Sequence, residues 1–265
     1  MEIKGSVVLV TGGASGIGET VCKVFAAKGA KVAVVDSSQQ GIDRVVKEIR
    51  DAGGEVIGIP ANVASESETA QFIHAALAAF GKLNIAVSCA GIIRDGTMLA
   101  LDKDSGKVSR KLGYDKWQQV LDVDLTGTFL TLRDAAEAMV NGGWDGLLVP
   151  ISSVNKIGQI GQLNYSSAKA AIALMPKIIV GEFLMRGIRK VRCVGIAPGY
   201  TATPMLTGMN QAALKAILED IHLGRLVRPE EIASLIAHCA ENEAINATTL
   251  EITGGLCHPG GGIAK

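Results

Sequence analysis

Val7-Val8-Leu9-Val10-Thr11-Gly12-Gly13-Ala14-Ser15-Gly16-Ile17-Gly18 joins a short apolar run to a glycine-rich turn, and an amphipathic stretch begins near Gly16. The branched run suits a strand buried on both faces, and the stretch after it carries helical periodicity. Glycines allow a backbone to come close to a pyrophosphate. A helix start adds free N–H groups and a dipole that favours anions. The spacing is Gly-x-x-x-Gly-x-Gly, unlike the Gly-x-Gly-x-x-Gly of long dinucleotide folds. A ligand-free tight turn is the plainer reading, but its place between strand and helix favours a phosphate cradle.

The same alternation continues along the chain. Strands are expected at Val7–Thr11, Lys31–Asp36, Glu55–Pro60, Leu83–Ser88, Gly146–Ser152, Lys190–Ala197 and Thr248–Thr253. Helices are expected near Gly16–Lys28, Gln39–Ala52, Ser65–Phe80, Tyr114–Asn141, Leu163–Arg186 and Pro229–Glu241. Strand and helix in turn imply right-handed crossovers. The expected fold is a single-domain, Rossmann-like α/β unit over 1–265, a doubly wound parallel sheet of about seven strands with helices on both faces. No solenoid repeat or Pro/Ser-rich linker divides it. Two excursions break the rhythm, a polar insertion near 92–113 and a segment near 198–228 read as a substrate loop. Both follow carboxyl ends of strands, where such sheets bind ligands.

Composition narrows the function. Lys+Arg 26 against Asp+Glu 26 leaves no basic field for nucleic acid, and aromatics at 4% suit a doubly covered sheet. No run of eighteen apolar residues reads as a membrane span. The first residues lack a cleavable signal pattern, and Cys22, Cys89, Cys193, Cys239 and Cys257 show no metal or disulfide spacing. The expectation is a cytoplasmic protein with reduced, buried thiols and no metal. His74, His222, His238 and His258 lie apart, as surface or capping residues do.

Two further features carry chemistry. Asp36 closes the second expected strand about twenty residues past the glycines, where an acidic side chain accepts from an adenosine ribose. Its charge would repel a 2′-phosphate, and Ser37 and Ser38 bring no cation, so NAD is the expected cofactor over NADP. A surface-turn aspartate is the bland alternative. Tyr165 and Lys169 stand four apart in an expected helix and share one face. An ammonium beside a phenol favours phenolate, lowering a tyrosine pKa from roughly 10 toward the range where it exchanges protons. An exposed helix pair is the commoner meaning of that spacing alone.

Taken together, the TGGASGIG turn, Cys89-Ala90-Gly91, Ser152 ahead of Tyr165 and Lys169, and Pro198-Gly199 resemble the short-chain dehydrogenase/reductase family over nearly the whole chain. The resemblance implies Tyr165 as general acid or base, Lys169 as its partner and ribose ligand, and Ser152 holding the substrate oxygen, with Ser153 as runner-up. It implies cofactor contacts from Gly12, Ser15, Gly16, Ile17, Gly18, Asn62, Val63, Ala90, Gly91, Pro198, Gly199, Thr201 and Thr203, besides Asp36, Tyr165 and Lys169. It also implies a homotetramer. Two departures stand out. Ser88-Cys89 replaces a family Asn-Asn, losing amides that support the central strands. Asp124 replaces an asparagine whose surroundings hold a relay water. Its backbone carbonyl is expected to keep that role, and its carboxylate to alter the electrostatics around Tyr165 and Lys169.

The segments Ile92–Gly96, Gly161–Tyr165 and Leu223–Ile232 look most like 3-oxoacyl-thioester reductases acting on acyl carrier protein or coenzyme A thioesters. Arg94, Lys103, Lys107, Arg110 and Lys111 then offer charges to a carrier phosphate, or simply solvate a loop. The competing enzyme reading is a dehydrogenase of a hydrophobic cyclic or steroid-like alcohol, with Met98, Met205, Leu206 and Met209 as an adaptable cleft. A non-enzyme reading, a nucleotide-sensing or scaffold member, rests on Asp124 alone.

Overall fold

A computed structural model describes residues 1–203, 206 and 211–256, without side chains for 211–213. Met205, Met209, Cys257, His258 and the glycine-rich tail therefore lie outside the described residues.

The strands are β1 (Val7–Thr11), β2 (Lys31–Asp36), β3 (Val56–Pro60), β4 (Ile85–Ser88), β5 (Leu99–Leu101), β6 (Val108–Lys111), β7 (Gly146–Pro150), β8 (Val191–Pro198) and β9 (Thr248–Ile252). The helices are α1 (Gly16–Ala27), α2 (Gln39–Asp51), α3 (Glu66–Phe80), α4 (Tyr114–Val120), α5 (Gly127–Asn141), α6 (Leu163–Met185), α7 (Gln211–Glu219) and α8 (Pro229–Glu241). Seven strands form one parallel sheet in the order β3-β2-β1-β4-β7-β8-β9.

Side-chain alternation splits the core. Val8, Val10, Val32, Val34, Ile85 and Val87 pack with Phe25 of α1, Ile42 of α2 and Ile232 of α8. Val7, Leu9, Ala33, Val35 and Ala86 pack with Phe72 of α3 and Leu132 and Met139 of α5. Each fully buried branched side chain contributes about 1.5–3 kcal/mol. Because β1 pairs with both β2 and β4, the winding reverses there, and a crevice opens beyond the carboxyl ends.

The structure differs from the sequence expectation in two places that matter. The single helix expected over Tyr114–Asn141 is broken by a π-helical turn, Leu121–Thr126. Such a turn inserts one residue and rotates side chains against the regular spacing. Here it buries Asp124 completely. The polar insertion is an antiparallel hairpin of β5 and β6, not an open loop. Its tip is set by Asp102, whose Oδ1 accepts from Asp104 N at 3.2 Å and Ser105 N at 2.8 Å. A short 3-10 turn, Val154–Ile157, follows β7. Between α5 and α6, Phe129, Leu132, Met175 and Ile178 line a groove of about 360 Å³, with Phe129 and Ile178 more than half exposed. No helix among the described residues is long and apolar enough to cross a membrane.

Candidate active site

Two adjoining clefts open at the crevice. The first, about 410 Å³, is lined by Gly12, Ser15, Gly16, Ile17, Gly18, Asp36, Asn62, Val63, Ala90, Gly91 and Thr203. The glycine turn packs so tightly that a Cβ on Gly18 would lie 2.2 Å from the Gly12 carbonyl oxygen. Ser15 precedes α1 with extended backbone and makes no side-chain cap, leaving the first N–H groups of the helix for a ligand. An uncapped helix start on a glycine wall fits an anionic dinucleotide backbone.

Asp36 sits at the far edge of this cleft. Its Oδ2 accepts from Ala14 N at 3.1 Å and its Oδ1 from Ser38 N at 3.0 Å, so the carboxylate is held by two main-chain donors. Sequence reasoning missed Arg44, whose guanidinium reaches the same turn by donating to Ala14 O at 3.0 Å. That cation is engaged by Glu19 at 2.6 Å and Glu48 at 3.2 Å. The Arg44 partnership in turn holds the Glu19 carboxyl below its usual value. Asn62 uses its Oδ1 to accept from Ala64 N at 3.0 Å, so its amide nitrogen is the side-chain donor it has left to offer.

The second cleft, about 240 Å³, gathers Ser152, Ser153, Asn155, Gln162, Tyr165, Lys169, Pro198, Gly199 and Thr201. It shares Ile17, Cys89, Gly91 and Thr203 with the first. Tyr165 is half-buried, and its hydroxyl makes no hydrogen bond within the described residues. Lys169 Nζ lies 5.4 Å from the centre of the Tyr165 ring. Ser152 Oγ donates to the Lys169 carbonyl at 2.7 Å, whereas Ser153 Oγ accepts from Asn155 N at 3.1 Å.

Asp124 enters this centre with its side chain. Its Oδ2 lies 3.3 Å from Lys169 Nζ, and its Oδ1 accepts from Ile92 N at 2.8 Å. Lys169 Nζ also donates to Ile151 O at 3.1 Å. Burial pushes the Asp124 carboxyl above its usual range, against the pull of Lys169. For Lys169, burial opposes the charge, but the combined attraction of Asp124 and Tyr165 exceeds it and holds the ammonium above its ordinary value. The pair therefore binds its protons more tightly than the separate groups do in water.

The expected loss of support at Ser88-Cys89 is made good by hydroxyls. Thr11 Oγ1 accepts from Cys89 N at 3.2 Å and Ala90 N at 3.3 Å, and Ser88 Oγ bonds Thr128 Oγ1 at 3.0 Å. Burial pushes the Cys89 thiol up to about 11, which suits an inert wall residue. Among the described residues no cluster of His, Cys, Asp or Glu has the geometry for a metal. Asn155 and Tyr200 line the site without a sequence motif to announce them.

A family model described as short chain dehydrogenase matches residues 6–214. A 3-oxoacyl-[acyl-carrier-protein] reductase of Synechocystis sp. is 36% identical over 255 residues, covering 94% of this chain and 96% of that protein. A (3R)-3-hydroxyacyl-CoA dehydrogenase of Homo sapiens is 32% identical over 266 residues, covering 96% and 97%. Among solved structures, a variant short-chain dehydrogenase/reductase of Serratia marcescens superposes with a TM-score of 0.84 at 26% identity, covering 97% of this chain and 100% of that one.

Proposed function

The chain belongs to the short-chain dehydrogenase family, and on that premise we propose that it interconverts a ketone and a secondary alcohol on 3-oxoacyl or 3-hydroxyacyl thioesters with NAD. The observation that carries the reading is the meeting of Ser152, Tyr165 and Lys169 in a cleft that shares a wall with the glycine-turn cleft. The nicotinamide, when bound, supplies or takes the hydride. Tyr165 gives its hydroxyl proton to the carbonyl oxygen in reduction and takes it back in oxidation. Lys169, held charged by Asp124, stabilises the oxygen of Tyr165 while the proton is away. Ser152 turns its hydroxyl from the Lys169 carbonyl to the substrate oxygen, a rotation about one bond.

The nicotinamide nucleotide would rest on the N–H groups of Gly16, Ile17 and Gly18, with its adenosine ribose on Asp36. NAD is favoured because Asp36 is anionic and Arg44 is already occupied by Glu19. Asp36→Ala is expected to raise the ratio of NADPH- to NADH-dependent kcat/KM by about 10²-fold, the scale of one removed like-charge contact. An unchanged ratio in steady-state kinetics refutes NAD selection by Asp36.

The thioester assignment draws on the names of the relatives and on the basic hairpin. Lys103, Lys107, Arg110 and Lys111 are all exposed there. Changing all four to alanine is expected to raise KM for acetoacetyl-CoA by about tenfold with kcat unchanged, four rim charges contributing modestly each. The uncharged N-acetylcysteamine thioester should show no change. A panel of acetoacetyl-CoA and cyclic ketones with NADH tests the whole reading; turnover confined to the cyclic ketones would shift it to an alicyclic alcohol dehydrogenase.

A further inference from the structure

A chain of amides runs from the base of the hairpin to the substrate cleft, and its polarity is fixed at one end. Asp95, in the segment entering the hairpin, accepts from Gln162 Nε2 at 3.0 Å. A carboxylate only accepts, so Gln162 presents its nitrogen to Asp95 and its oxygen away. That oxygen accepts from Asn155 Nδ2 at 2.9 Å. Asn155 is thereby forced to turn its own carbonyl oxygen to the opposite side. Reversing Asn155 would set two amide oxygens face to face or, with Gln162 reversed as well, drive the Gln162 oxygen against the Asp95 carboxylate.

Asn155 lines the cleft with Tyr165, is 8% exposed, and has its main-chain N–H held by Ser153. Its Oδ1 is buried and has no hydrogen-bond partner among the described residues. Buried carbonyl oxygens are almost always paired, and leaving one bare costs free energy that a ligand donor recovers. The proposed reaction leaves this oxygen unused, because the reacting carbonyl brings only an acceptor and the one hydroxyl proton of the alcohol goes to Tyr165.

We infer that Asn155 is a specificity residue, whose Oδ1 accepts a hydrogen bond from a donor on the substrate near the reacting carbon. Compounds with an N–H or O–H there are selected over those without, because the latter leave the oxygen unpaired. The inference rests on the oxidoreductase reading of the cleft and not on the thioester assignment. The donor has two chemical sources, the first amide N–H of a pantetheine arm or a hydroxyl on an acyl chain or ring.

Matched ligands separate these sources. One pair is the acetoacetyl thioester of N-acetylcysteamine and its 2-acetoxyethyl counterpart, in which ester oxygen replaces N–H. The other is 4-hydroxycyclohexanone and 4-fluorocyclohexanone. Calorimetric affinities are measured for the full-length protein with NAD⁺ or NADP⁺ present, for the wild type and Asn155→Leu, with Asn155→Ala as a second truncation. The wild type is expected to bind the donor-bearing member of one pair about tenfold more tightly. Both truncations should weaken that member alone, making the pair equal, and the pair affected identifies the source. Equal or absent wild-type binding in both pairs overturns the inference, as does a truncation that weakens both members alike. Turnover of the same compounds reports separately on the reaction: a donor preference without turnover upholds the Asn155 role and rejects the oxidoreductase reading.

Discussion

Tyr165→Phe is expected to lower turnover by about 10²–10⁴-fold, the usual share of one positioned general acid–base. The substitution deletes a single oxygen. The aromatic ring, which Lys169 Nζ approaches to 5.4 Å, keeps its packing, and the glycine turn and Asp36 lie in the neighbouring cleft. Cofactor affinity, followed by quenching of protein fluorescence, should therefore stay within about twofold while kcat collapses. Turnover within tenfold of wild type would remove Tyr165 from the chemistry. A parallel loss of cofactor affinity would recast it as a binding residue.

Lys169→Met carries the second large effect, and it acts on both activity and stability. The lysine side chain is 5% exposed and its partner Asp124 is fully buried. Removing the ammonium leaves a buried carboxylate with, among the described residues, only the Ile92 N–H against its charge, and breaking comparable pairs costs about 3–5 kcal/mol. Catalysis should be lost along with stability. The double variant Lys169→Met/Asp124→Asn should regain most of the stability in denaturant titrations and none of the activity. If the single and double variants are equally unstable, the pair does not carry the energy assigned to it.

The same pair sets a pH dependence. Burial raises the Asp124 carboxyl above its reference value of 3.8, and Asp124 raises Lys169 above 10.5. The folded state thus binds more protons at both sites, so each contributes stability that falls as pH rises. For Asp124 the fall begins just above the ordinary carboxylate value; for Lys169 it comes only in alkali. Asp124→Asn removes the acid-side part, so its melting temperature should vary less than that of wild type as pH rises above the ordinary carboxylate value.

Much of this centre was legible because its signals are local. The glycine turn, Asp36 at a strand end and the spacing of Tyr165 and Lys169 all follow from short-range rules of strand, turn and helix. Strand ends moved by only a residue or two, as at Val56 and Val191. Asp124 was visible as a departure whose carboxylate acts on Tyr165 and Lys169, but the π turn that brings it to 3.3 Å from Lys169 Nζ was not. A π turn has no residue signature, and a regular helix would not have shown the carboxylate meeting Lys169. The hairpin was hidden by its polarity, although Asp102-Lys103-Asp104-Ser105-Gly106 holds the turn chemistry that builds it. Arg44 and Asn155 were unreadable for another reason: their importance lies in partners 25 and 7 residues away, Glu19 and Gln162.

One amide clamps the hairpin at both stems. Asn164 Nδ2, in the first turn of α6, donates to Arg94 O at 3.0 Å and to Lys116 O at 3.2 Å, on the incoming and outgoing sides of the excursion. Gly96 N adds a third tie to Gly161 O at 2.8 Å. Both ends of the excursion are thereby anchored beside Tyr165, whatever happens at the tip. A tip that is lengthened, recharged or even cut stays tethered without pulling on Tyr165. Such an arrangement separates two kinds of change over evolutionary time: the hairpin tip can drift in length and charge while the geometry beneath it stays constant.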